Sequence, residues 1–239
     1  MNYLAHAWSV VQSGSWDPYE LAGVAVPDWL GVTAKRTKCR SRSAQPHLLS
    51  EDPRLAALAR GVCRHHADDA WFHDSPAFGA LSLGFAKTLR ESLGESTSLR
   101  PWFLGHILVE LLLDDELAKR TPGLFDRYYT AISRIDAEWV EARVGQLAGR
   151  DVGRLGYFIG RYIEVRFLED YRDDASLTLR LNQVMKRVGL DPLPDGFPPL
   201  LTGFRGAIAA SFDDLLMRPL AAVLKETGGR TETVSTGSA

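Results

Sequence analysis

Apolar residues in this chain recur at i, i+3 and i+4 steps, and no β-branched run alternates for more than a few positions. Leu, Ala, Arg and Glu fill most of that pattern, and all of them favour helix. The periodicity predicts helices over 2–12, 18–25, 52–73, 76–93, 99–119, 122–147, 151–171, 174–188 and 198–226. Punctuation agrees: Pro76 and Pro101 near helix starts, Gly94 after a helix, Pro122-Gly123, and a Pro-rich stretch over 192–199. The fold class expected is all-α, a multi-helix bundle forming one domain over 1–226. Residues 32–50 carry the basic run KRTKCRSR with no apolar period. The segment TGGRTETVSTGSA over 227–239 has too few large apolar residues to bury anything, so a disordered tail is expected.

Composition narrows the picture slightly. The chain has 239 residues, enough for a sizeable core without division, and a formal net charge of −2. Near-neutral charge argues against nucleic acid as a partner. Cys39 and Cys63 are the only cysteines and neither has a CxxC mate, which fits a reducing compartment. The opening MNYLAHAWSVV lacks a basic flank and reads poorly as a signal peptide. The longest apolar run, Trp102 to Leu113, is interrupted by His106 and Glu110 and is too short for a transmembrane segment. A cytoplasmic protein is expected.

The chemistry lies in where the histidines fall. In GVCRHHADDAWFHDSP, His65, Asp69 and His73 are successive i+4 positions on a helix and spread over roughly 80°. His66 falls within about 20° of His73, whereas Asp68 and Asp74 are expected to face solvent. Imidazoles and a carboxylate on one stripe make a ridge of metal ligands; the alternative is a set of helix salt bridges. In WFLGHILVELLLDDEL, His106 and Glu110 are again four apart, now amid leucines. A carboxylate there needs a cationic partner, either a metal or a base. Asp114, next to Asp115 and Glu116, is expected at the surface. His6 lies in an apolar helix, and Asp28 in GVAVPDWLG reads as a turn residue or helix N-cap.

Taken in order, MNYLAHA, the Gly23-to-Asp28 segment, the Gly61-to-Pro76 segment, a helix with two ligand types four apart and the late YIEVRFLEDYRDD resemble the acyl carrier protein phosphodiesterase family. That family is similar to the HD-type metal-dependent phosphohydrolases, so the resemblance implies an HD-like helical fold. It implies metal or active-site roles for His6, Asp28, His65 and Asp69. Where the family usually has aspartates, this chain has His73, His106 and Glu110, and where it often has histidine, this chain has Cys63. The shift toward imidazole favours zinc or iron over magnesium, with manganese also suited. The HHADDAWFH and FLGHILVELLLDD segments are more distantly similar to zinc-dependent phospholipase C-like proteins.

The function expected is a metal-dependent phosphodiester hydrolase, a phosphodiesterase whose resemblance implies release of 4′-phosphopantetheine from an acyl carrier protein. The alternatives are a phospholipase C-like or small-molecule phosphohydrolase, and a non-catalytic metal-binding helical module. Metal ligands are expected from His6, Asp28, His65, Asp69, His73, His106 and Glu110, more than one tetrahedral ion needs, which points to a one- or two-ion site. His66 and Asp69 are the candidate catalytic residues, with His66 donating a proton to the leaving oxygen. Arg36, Arg40 and Arg172 are candidate phosphate contacts, and the basic loop over 35–42 is either a docking element for an acidic carrier protein or a solvated surface.

Overall fold

The structure is a computed structural model describing residues 1–94 and 99–216, and every regular element among the described residues is helical. In chain order these are α1 (Tyr3–Gln12), α2 (Pro18–Thr33), α3 (Ser41–Ala44), α4 (Pro53–His73), α5 (Pro76–Leu93), α6 (Pro101–Arg120), α7 (Leu124–Ile132), α8 (Ala137–Ala148), α9 (Leu155–Val165), α10 (Asp174–Arg187), α11 (Leu201–Ala210) and α12 (Phe212–Leu216). Short 3₁₀ turns cover Gln45–His47, Phe167–Arg172 and Pro198–Leu200. None of these helices is long and apolar enough to cross a membrane.

Short polar side chains start the long helices. Asp17 accepts from the Tyr19 and Glu20 amides, Asp52 from Arg54, and Ser75 from Phe78, each followed by proline at the first helical position. The cap satisfies amides that the helix leaves open, and proline there gives up no bond. Helix α1 is capped differently. Its N-cap Asn2 makes no side-chain cap, and Asp114 of α6 instead accepts from Leu4 N (3.0 Å), Ala5 N (2.8 Å) and Asn2 Nδ2 (2.9 Å). Asp114 is fully buried, which corrects its expected surface position.

Several boundaries also differ from the sequence reading. Helix α2 continues through Pro27 to Thr33, so Asp28 is a mid-helix residue rather than a turn or cap. Interior proline costs about 3 kcal/mol, but buried side chains of this helix, among them Val24, Val26, Trp29 and Leu30, outweigh that loss. The expected 122–147 helix is two, broken where Asp136 caps α8 by accepting from Trp139 N. The expected 151–171 helix ends at Val165 because Arg166 adopts a left-handed backbone, φ 51°. The stretch over 32–50 holds α3 and a 3₁₀ turn. The last predicted helix is α11 and α12 as far as Leu216; its remainder and the expected tail at 227–239 lie outside the described residues.

Glycines set the spacing of the helices that carry the site. A Cβ on Gly61 would fall 2.2 Å from the Glu20 carbonyl oxygen, and one on Gly23 would fall 2.3 Å from that of Leu58. Helices α2 and α4 are therefore in backbone contact at Gly23 and Gly61. Gly105 brings α6 equally close to α5, where an added Cβ would lie 2.7 Å from the Ser82 oxygen. A continuous apolar core joins the helices, and α1, α2, α4 and α6 meet around the histidines.

Candidate metal centre

Helix α4 supplies the ridge expected of it and divides it between two partners. Its second half offers His65 and Asp69 to His6 of α1: His6 Nε2 lies 3.3 Å from Asp69 Oδ1, and His65 Nε2 lies 3.4 Å from Asp69 Oδ2. The two imidazoles stack, with ring centroids 4.0 Å apart. Its end offers His73 to α6, where His73 Nε2 is 3.0 Å and His106 Nε2 3.3 Å from the same Glu110 Oε1. These two rings are tilted by 30°, with centroids 4.9 Å apart. The result is two groups of two imidazoles and one carboxylate, each with its donor atoms within 4.8 Å of one another.

The groups adjoin. The Met1 ammonium is 2.8 Å from Asp69 Oδ1 and 3.0 Å from Glu110 Oε1, so one cation touches a carboxylate of each. Burial alone would raise Asp69 and Glu110. Instead His6, His65 and the ammonium hold Asp69 well below the carboxylate range, while the ammonium, His106 and His73 do the same for Glu110. Burial opposes charge on His6, yet Asp68 and Asp69 together raise its imidazole to about 9. The space between the triads is one where positive charge is stabilised.

A hydrogen bond behind His65 fixes which of its nitrogens faces inward. His65 Nδ1 lies 2.8 Å from the Val24 carbonyl oxygen, so Nδ1 carries the proton and donates. Its Nε2 lone pair then confronts an Asp69 oxygen at 3.4 Å, a repulsive pair unless a proton or metal cation lies between them. The fully buried His6 faces carboxylates on both sides, Asp69 at 3.3 Å from Nε2 and Asp68 at 3.9 Å from Nδ1, and completes a geometrically sound hydrogen bond to neither. On both counts these donors fit a divalent metal. Two histidines and one carboxylate with an open position is a donor set used by zinc and by non-haem iron.

Asp28 stands next to these groups without joining either triad. Its Oδ2 is buried without a hydrogen-bond partner. Burial raises its carboxyl against the lowering pull of His65, His6 and the Met1 ammonium. Asp68, expected to face solvent, is buried: Ser9 Oγ donates to it at 2.6 Å and His6 Nδ1 lies 3.9 Å away.

Four residues singled out in the sequence are turned elsewhere. His66 Nε2 donates to the Cys39 carbonyl at 2.8 Å, so it pins the loop over 34–40; its ring packs edge-on against His65, 5.2 Å between centroids, and it adds no donor to either triad. Burial lowers its pKa, which suits that neutral role. Arg36 and Arg40 are exposed on the loop, and Arg172 lies over the Phe125 ring at 4.6 Å. The residues that the sequence reading missed, Asp68, Asp114 and Met1, depend on contacts between distant helices. Local signals existed for Asp68, three residues after His65, and for Asp114, four residues after Glu110, but neither shows which helix the side chain meets.

The chain matches no family model, no curated protein and no solved structure.

Proposed function

We propose that the protein is a metal-dependent phosphodiester hydrolase. The observation that supports this reading is the pair of adjoining His₂-carboxylate triads, His6–His65–Asp69 and His73–His106–Glu110. A divalent ion bound there supplies Lewis acidity toward a phosphoryl oxygen and lowers the pKa of water. In the net reaction the oxygen of water bonds to phosphorus, the bond from phosphorus to one alcohol oxygen breaks, and that alcohol leaves with a proton. Val24 orients His65, Asp68 faces the far side of His6, and Glu110 gathers His73 and His106 around one oxygen. Asp28, whose buried Oδ2 has no hydrogen-bond partner and which lines the cavity next to Glu110, is the carboxyl we assign to relay the proton between water and the leaving alcohol.

The test is metal content by elemental analysis together with cleavage of bis-p-nitrophenyl phosphate by zinc-, iron- and manganese-loaded protein. Cleavage with bound metal is the expected result, and metal uptake without turnover of any diester sinks the hydrolase reading. The resemblance to acyl carrier protein phosphodiesterases nominates one natural substrate, a holo-carrier protein. Its test is loss of the phosphopantetheine mass on incubation.

A further inference from the structure

Beside the triads opens a cavity of about 500 Å³, within the range of small-molecule sites. Glu110 and Asp28, whose Oδ2 has no hydrogen-bond partner, line the part of it next to the triads. Phe158, Phe167 and Tyr171 line it further with rings. Exposed Lys38 and Arg187 stand at its mouth, one from the loop and one from the end of α10. A third lining cation, Arg180, is bound to Asp170 at 2.6 Å. Among the described residues no ion pair holds Lys38 or Arg187.

Those two cations are placed by the fold. On either side of Lys38, Thr37 Oγ1 donates to the Asp151 carbonyl at 2.7 Å, and the Cys39 carbonyl accepts from His66 at 2.8 Å. Lys35 Nζ then reaches the Arg187 carbonyl at 2.9 Å and ties the loop to the end of α10. The cavity thus has two carboxylates, Asp28 and Glu110, on the side next to the triads, aromatic walls, and two uncommitted positive charges among its exposed lining residues. A neutral or purely apolar ligand would leave those charges unused.

We infer that the substrate is a small phosphodiester with an apolar or aromatic body and a second anionic group, which Lys38 and Arg187 receive while the phosphodiester lies at the triads. This inference rests on the hydrolase reading for what the triads do, and its test is separable from that reading. Two phosphonate analogues that cannot be cleaved are compared by calorimetry on the zinc-incubated protein, one ending in a phenyl ring and the other in a 4-carboxyphenyl ring. The carboxylated probe is expected to bind at least tenfold more tightly, and added salt should shrink that ratio. In the double variant Lys38→Ala/Arg187→Ala, with an unchanged urea midpoint, the two probes should bind equally, and Lys38→Glu should favour the uncharged one. Equal binding of both probes to the native protein, binding of neither, or a preference that survives in the double variant overturns the inference. If the preference holds and bis-p-nitrophenyl phosphate is not cleaved, the hydrolase reading fails and the anion site stands.

Discussion

The Nδ1 atom of His65 lies 2.8 Å from the carbonyl oxygen of Val24, and that contact exists because α2 and α4 touch backbone to backbone one turn away. Gly61→Ala would place a Cβ 2.2 Å from the Glu20 oxygen, so the helices must part. Overpacking of this kind costs about 1–3 kcal/mol, and loss of an outer hydrogen bond to a ligand histidine costs about 10- to 100-fold in metal affinity. Gly61→Ala is therefore expected to lower the urea midpoint and to weaken zinc binding in a competition titration. Unaltered zinc affinity would separate the glycine contact from the site.

Because each triad has its own histidine pair, single substitutions should act on one ion at a time. Native protein is expected to hold two equivalents of zinc after dialysis. His6→Ala and His106→Ala should each hold one, read by elemental analysis. Asp69→Ala should lose its ion and cleavage of bis-p-nitrophenyl phosphate together. If either histidine variant kept two equivalents, the division into two sites would be wrong.

How much of this was legible beforehand follows from the physics of each signal. The i, i+4 steps from His65 to His73 and from His106 to Glu110 lie within single helices, so the sequence displays them directly, as it does the all-α class. That one helix divides its ligands between α1 and α6 depends on where three helices cross. The roles of Asp68 and Asp114 depend on the same crossings, and helical period alone puts both in doubt. Pro27 reads locally as a breaker, which ends the predicted helix at 25, whereas burial of the residues around it carries α2 on to Thr33.

His66 illustrates a ligand-type residue with a positioning task. Its bond to the Cys39 carbonyl holds the loop, and Cys39 is itself buried, with burial pushing its thiol up to about 12. His66→Ala should keep the metal content of the native protein and lose about 1 kcal/mol of stability, the net worth of one hydrogen bond. Its Cys39 should react with a thiol reagent at pH 8, where the native thiol stays protonated and covered. Loss of metal from this variant would return His66 to the site.

Asp114 gives the pH dependence that is simplest to isolate. Burial raises its carboxyl, the amides of Leu4 and Ala5 pull the other way, and the outcome is about 7 against an ordinary 3.8. A carboxyl raised in the folded state gives its full stabilisation below its unfolded pKa, and that stabilisation is lost as the pH climbs through the folded value. Native protein should therefore lose stability relative to Asp114→Asn between about pH 4 and 7, by at most about 1.4 kcal/mol per pH unit. Urea unfolding of both proteins across that range gives the difference directly, since the other titrating groups are common to both and cancel. Parallel curves would mean that the amide bonds to Leu4 and Ala5 offset burial completely, and that Asp114 titrates in the folded protein at its ordinary 3.8.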